Sequence, residues 1–225
     1  MSEFAAGPAG RIERVRALMV ERGYDAIVVR DEANLRWLTG VKGVFDYTFE
    51  FPHAAFITAD QCLFHTDSRY LNSFEENTPA GSPWVYDMDE GTIPGWVAGK
   101  IAANKCRVCA VEDDMQINFY QGIQRGLEDR SVACILPLMH DDIRKMRAIK
   151  DAEEIELMRH AQSITDAAFQ HMLGFIKPGM TEKQVRNELE NFMFANGADS
   201  LAFKIGEGLI AVRVFLLDED HRRIV

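Results

Sequence analysis

The chain of 225 residues lacks any apolar run approaching the roughly 18 residues a membrane-spanning helix needs, so no transmembrane segment is expected. Positive charge is in short supply: 25 Lys and Arg stand against 35 Asp and Glu, a formal net charge of −10. That balance argues against a nucleic-acid binder and against docking on an anionic membrane, because both depend on basic side chains. Cysteine is scarce as well. Four in a chain this long do not make the disulfide framework of a small secreted protein. Met1 to Arg16 holds no basic segment leading into an apolar stretch, so no secretory signal is read there and a soluble protein of the cytoplasm is expected. Internal repeats and low-complexity tracts are missing. What remains is an ordinary globular mixture, 47% hydrophobic and 27% charged, long enough for one large domain or two modest ones.

Residues 1–10, with Gly7, Pro8 and Gly10, read as a flexible leader. A helix is predicted from Arg11 to Gly23, then a buried strand at Tyr24–Arg30 and a short helix at Asn34–Leu38 closed by Gly40. Residues 41–52 read as a loop. Strands at His53–Thr58 and Cys62–Thr66, joined by Ala59-Asp60-Gln61, form a predicted hairpin. A helix at Arg69–Glu76, a strand at Trp84–Met88, a helix at Ile93–Ala103, a strand at Cys106–Val111, a helix at Ile117–Leu127 and a strand at Val132–Leu138 follow. This alternation predicts an α/β domain over 11–142, its mixed sheet mostly parallel with the hairpin at one side. Past His140 the pattern changes. Asp141–Ile176 has no proline and reads as one long helix with an apolar stripe at Ile149, Ala152, Ile155, Met158, Ala161, Ile164, Ala168 and Met172. Lys177-Pro178-Gly179 ends it, and Thr181 with Gln184 is a capping box for a second helix running to Asn196-Gly197. A domain boundary is placed near 140–148, with 143–225 as the second part.

No complete active site emerges from the residues themselves. Cys106 and Cys109 have the spacing of a redox or zinc pair, but in a strand they would face opposite ways, so they read as buried structural cysteines. The six histidines, His53, His65, His140, His160, His171 and His221, show no paired metal spacing and read as structural or surface residues. The acidic groups Glu112-Asp113-Asp114 and Asp141-Asp142 read as loop residues. Asp151, Glu153, Glu154 and Glu156 read as favourable charge near a helix N-terminus. Gly206 and Gly208 are too few for a dinucleotide fingerprint, and Ser73, Ser163 and Ser200 sit in no nucleophile elbow.

The order of motifs nevertheless resembles a known family. Ile143 to Ile155, Met158 to Ala161, Ile164-Thr165 and Ile176 to Glu182 are similar to the linker and opening helices of the pita-bread metallopeptidases: Xaa-Pro aminopeptidase, prolidase and the related creatinase. Tyr24 to Val29, Asn34 to Gly40 and Thr66 to Tyr70 resemble the creatinase-type N-terminal domain, and Gly197 to Phe203 the stretch that opens the family's first catalytic strand. The resemblance covers about 11–203. It implies hydrolysis of the bond before proline with two divalent metal ions (Mn, Co or Zn), whose ligands in the family are two aspartates, a histidine and two glutamates beyond the position of Phe203. After Phe203 the pattern is lost, and Asp218, Asp220 and His221 match no ligand of the family. No catalytic or metal residue is therefore carried over to this chain, its substrate-binding residues are unknown, and it is expected to bind no metal.

The expectation is a truncated, frame-disrupted or naturally short member of the Xaa-Pro peptidase family, inactive alone, in a homodimer. One alternative is a non-catalytic module pairing with a full-length homologue, for which the aromatic run Phe45 to Phe51 would be the anchor if it does not pack into its own domain. Another is a fragment of a creatinase-like amidinohydrolase. Apolar surface is expected to lie exposed on the second part, where the two helices and Leu209–Leu217 would normally cover a catalytic sheet.

Overall fold

The computed structural model describes residues 7–41, 52–88, 91–199 and 201. The aromatic run Phe45 to Phe51, Ser200, Gly206, Gly208, Leu209–Leu217, Asp218, Asp220 and His221 lie outside them. Two compact units divide the chain, one ending at Ile149 and the other beginning at Lys150.

The first unit begins with α1 (Gly7–Arg22), so Gly7–Gly10 open a helix instead of forming part of a leader. Proline is tolerated in a first turn because its missing N–H has no partner to lose there, and the Pro8 ring packs against Gly40. Gly40 ends α2 (Glu32–Thr39) in the left-handed region at φ 68°, where its N–H reaches the Arg36 carbonyl. Between these helices runs β1 (Ala26–Val29), buried at every position. The hairpin of β2 (Ala54–Thr58) and β3 (Cys62–His65) forms as predicted. It is followed by α3 (Leu71–Asn77), β4 (Val85–Asp87), α4 (Ile93–Ala103), β5 (Cys109–Val111) and α5 (Ile117–Asp129).

The sheet order is β4-β3-β2-β1-β5. The hairpin is therefore central, not at one side. Two pairings are antiparallel (β1 with β2, β2 with β3) and two parallel (β1 with β5, β3 with β4), so the sheet is evenly mixed instead of mostly parallel. The strand expected over Val132–Leu138 is reduced to two parallel bridges, Val108 with Ile135 and Val111 with Leu138. Side-chain alternation divides the core between the two faces. Ile27, Val29, Ala55, Ile57 and Phe64 pack with α1, α2 and Phe74 on one face. Ala26, Val28, Ala54, Phe56 and Val111 pack with α4 and α5 on the other. Gly122 and Gly126 let α5 approach α4 closely: a Cβ on Gly126 would lie 2.7 Å from Ala98 Cβ, and one on Gly122 2.8 Å from Pro94.

Past β5 the single long helix expected over 141–176 is two helices, α6 (Asp142–Ala148) and α7 (Ala152–Phe175). The break is local chemistry. Asp151 adopts extended backbone (φ −79°, ψ 174°), accepts the Glu154 N–H, and receives the Glu154 carboxylate on its own N–H. A capping box starts a helix and so interrupts the one before it. Helix α6 packs with the first unit, where Ile143 is buried and Met146 lies against the same core.

The second unit pairs α7 with α8 (Glu182–Ala195), which starts at the predicted Thr181–Gln184 capping box and ends at Asn196. Their small core holds Met172 and Val185, with Phe175, Ile176, Met180 and Leu189 around it. The apolar stripe read along α7 does not form one face. Its early members follow at intervals of three, and each such step turns about 300°, a drift of about 60° per step. Ile155 and Ile164 thus fall on opposite sides: Ile164, Ala168 and Met172 are buried, whereas Ile155, Met158 and Ala161 are exposed.

Candidate functional site

Strand β5 delivers Glu112 into the interior, 5% exposed. Its Oε2 accepts the backbone N–H of Arg30 at 2.5 Å and of Asp31 at 2.7 Å, and its Oε1 accepts Asn34 Nδ2 at 2.7 Å. These donors come from the end of β1 and the first turn of α2, where Asp31 also caps the helix by accepting the Asn34 N–H. Burial disfavours the carboxylate more than the three donors favour it, and the Glu112 pKa is pushed up to about 7. Asn34 passes the network on: its Oδ1 accepts Arg147 from α6 at 2.8 Å, and Arg147 stands 3.7 Å from Asp31.

Beside Glu112 is a shallow pocket lined by Asn34, Asp113, Asp114, Asp141, Asp142 and Arg144 among others, with a volume of about 20 Å³ open to a water molecule's centre. The two acidic groups that the sequence kept apart as loop residues are brought together here. Each carboxylate has a partner. Asp113 accepts the Asp141 N–H at 2.7 Å and lies 3.8 Å from His140; Asp114 and Asp141 face Arg144 at 3.8 and 3.5 Å. Asp142, 6% exposed, sits between Lys145 at 3.3 Å and Arg22 at 3.4 Å. Among the described residues no three His, Cys, Asp or Glu side chains are arranged to hold a metal ion. They do not fit a two-metal centre. What this arrangement can do is tie together the ends of β1 and β5, α2 and α6, with one buried carboxyl that titrates near neutrality.

The other candidates fall into the core or onto the surface. Cys106 precedes β5 instead of lying in it, so the expected opposite facing fails: Cys106 and Cys109 enter the same apolar cluster against α4 and α5. Burial pushes the Cys106 thiol up to about 11 and Cys109 well above its ordinary value, so neither is a ready nucleophile. All four cysteines are free. His53 is fully buried against Phe64, Tyr70 and Phe74, and burial lowers its pKa to about 4. His65 lies against Trp96, which donates to Asp87 at 3.1 Å. His160 is exposed. His171 is half-buried, 2.7 Å from Glu188 and stacked on Phe192. Ser163 donates to the His160 carbonyl and Glu156 pairs with Arg159, both on the surface of α7. Sequence reasoning missed Asn34 and Arg147, because pairings 78 and 113 residues apart leave no local signal.

Residues 11–149 match the creatinase/prolidase N-terminal domain, and residues 156–213 match metallopeptidase family M24. The chain belongs to the creatinase/prolidase family of metallopeptidases. It is similar to the uncharacterized peptidase YqhT of Bacillus subtilis, 29% identical over 200 residues that make up 86% of this chain and 51% of YqhT. It is also similar to the ectoine hydrolase of Halomonas elongata, 26% identical over 207 residues, 80% of this chain and 47% of that protein. The solved Xaa-Pro dipeptidase from Bacillus anthracis superposes with a TM-score of 0.73 at 28% identity, covering 88% of this chain and 52% of that one. The chain thus spans about half the length of these relatives. No helix among the described residues is long and apolar enough to cross a membrane.

Proposed function

We propose that this chain is the N-terminal portion of a cytoplasmic, dimeric Xaa-Pro metallopeptidase, supplying the creatinase-type domain and the opening helices of the metallopeptidase domain. On its own it hydrolyses no bond before proline. The observation that carries the reading is coverage: the chain accounts for 51% of YqhT and 52% of the Bacillus anthracis dipeptidase, and among its described residues no three His, Cys, Asp or Glu side chains are arranged to hold a metal ion. Four free thiols, three of them buried, suit a reducing compartment.

The test is direct. The purified 225-residue chain is incubated with Xaa-Pro dipeptides and longer peptides carrying proline second, with Mn²⁺ or Co²⁺ added. No turnover is expected. Robust metal-dependent release of the N-terminal residue overturns the reading. A second reading, a fragment of an enzyme acting on a non-peptide substrate, is favoured by the likeness to ectoine hydrolase. Joining residues 1–201 to the part of the Bacillus anthracis dipeptidase that this chain leaves uncovered, and to the same part of ectoine hydrolase, separates them: the reading proposed first requires activity on Xaa-Pro peptides only in the former chimera.

A further inference from the structure

We infer that α6 is a latch worked by protons: neutral Glu112 keeps it docked on the first unit, and ionised Glu112 lets it swing out on His140 and Asp141. The helix is only seven residues long and is set off at both ends. Before it, His140 and Asp141 both stand in the left-handed region, at φ 53° and 59°. Residues other than glycine rarely adopt that region, so two in succession hold strain that undocking releases. After it, Ile149 is extended and the Asp151 capping box starts a new helix. Between these joints α6 is seated by the buried Ile143 with Met146 beside it. Polar ties complete the docking: Arg147 to Asn34 and Asp31, Asp142 to Arg22, and the Asp141 N–H to Asp113.

Glu112 senses whether α6 is in place. Asp142, Ile143 and Arg144 of α6, with Met139 and Asp141 before it, form one wall of the pocket beside the carboxyl. Undocking removes that wall and lets water reach Glu112; docking buries the carboxyl again. The surrounding charges do not offset the burial. Asp31 adds repulsion from the start of α2, and Asp113 and Asp114 follow Glu112 directly in the chain. The cations are engaged elsewhere. Arg30 lies over Phe119 of α5, Arg144 faces Asp114 and Asp141, Arg147 reaches Asn34, and Lys145 and Arg22 meet on Asp142. The docked carboxyl therefore has a pKa of about 7, against an ordinary 4.5 once water reaches it. Docking thus takes up a proton: it is favoured in full below pH 4.5 and loses that support as pH rises through 7. From pH 6 to pH 8 the ratio of docked to open α6 should fall about tenfold.

Hydrogen exchange of the 225-residue chain, corrected for the intrinsic exchange rate at each pH, tests this. The amides from Lys145 to Ile149 should exchange through an opening of their own, less protected than those of α5 and insensitive to low urea. Their protection should fall about tenfold from pH 6 to pH 8 in the intact chain and stay constant in Glu112→Gln. His140, exposed and 3.8 Å from Asp113, stands at the same hinge, and histidine also changes charge near neutrality. His140→Gln should keep the tenfold fall. The coupling is reciprocal. Loosening α6 with Arg147→Gln or Ile143→Ala should lower the midpoint at which Glu112 titrates, followed by the carbon-13 shift of its carboxyl. Protection of α6 that is the same at both pH values overturns the inference, as does a fall that persists in Glu112→Gln or disappears in His140→Gln. A Glu112 midpoint unmoved by both α6 variants overturns it too, and so does exchange of α6 only together with the rest of the first unit.

Discussion

Asn34 and Glu112, 78 residues apart in the chain, meet at 2.7 Å, and the Asn34 amide carries that contact on to Arg147 at 2.8 Å. One amide therefore joins the end of β5, the first turn of α2 and the last turn of α6. The carboxyl at its centre is buried, and the consequence is a titration in the physiological range.

Two buried groups set opposing pH dependences of stability. Glu112 has a folded pKa of about 7 against an ordinary 4.5, so its contribution is full below pH 4.5 and is lost as pH rises through 7. His53 has a folded pKa of about 4 against 6.5, so its contribution is full above pH 6.5 and is lost as pH falls through 4. Each amounts to about 3 kcal/mol at most. In the intact chain they largely cancel between pH 4.5 and 6.5, and urea midpoints there should change little. Glu112→Gln should leave a stability that climbs with pH across that window, and His53→Phe one that declines. Parallel profiles for the two variants would show that neither group titrates as its burial requires.

Much of the fold was legible because its signals are local. Thr181 and Gln184 announced the start of α8, and Asp60 and Gln61 the turn of the hairpin, since each cap or turn is decided by residues within four of one another. Strand order was not legible: β1 chooses β5, more than eighty residues away, as one neighbour and β2 as the other, and nothing in Ala26–Val29 encodes that choice. The break before α7 was visible as an acidic cluster, but Asp151 was read as charge near a helix end and not as the cap that makes the end. The family was legible from motif order, and the family matches at 11–149 and 156–213 agree with it. The Glu112 network was not, because a buried carboxylate and a loop carboxylate look alike in sequence.

Two helical glycines with opposite surroundings give a second prediction. Alanine is the better helix former by about 1 kcal/mol. At Gly174 in α7 a Cβ meets nothing within 4 Å, so Gly174→Ala should stabilise by up to about that amount. At Gly126 the Cβ would sit 2.7 Å from Ala98 Cβ, forcing α4 and α5 apart. Gly126→Ala should destabilise by about 1–3 kcal/mol, the usual result of overpacking. Thermal denaturation of the two variants side by side checks the sign of each. A gain at Gly126 would mean that the α4–α5 contact is looser than the Pro94, Ala98 and Gly126 spacing requires.

The third prediction concerns the joint between α6 and α7. Helix α7 is 24 residues long, but its buried apolar residues, Ile164, Ala168 and Met172, all lie in its second half, away from its start. Its first turn therefore depends on the capping box more than the turns near α8 do. Asp151→Ala removes the acceptor for the Glu154 N–H while the residue-151 backbone N–H can still donate to the Glu154 carboxylate, and should cost about 1 kcal/mol. The loss should be local. Hydrogen exchange of the amides from Glu153 to Leu157 should speed up several-fold, whereas amides near Met172 keep their protection. Asp151→Asn or Asp151→Ser, which retain an oxygen acceptor, should recover most of the protection. If Asp151→Ala instead left the first turn unchanged, the helix start would be held by the chain before it, and Asp151 would not be what separates α7 from α6.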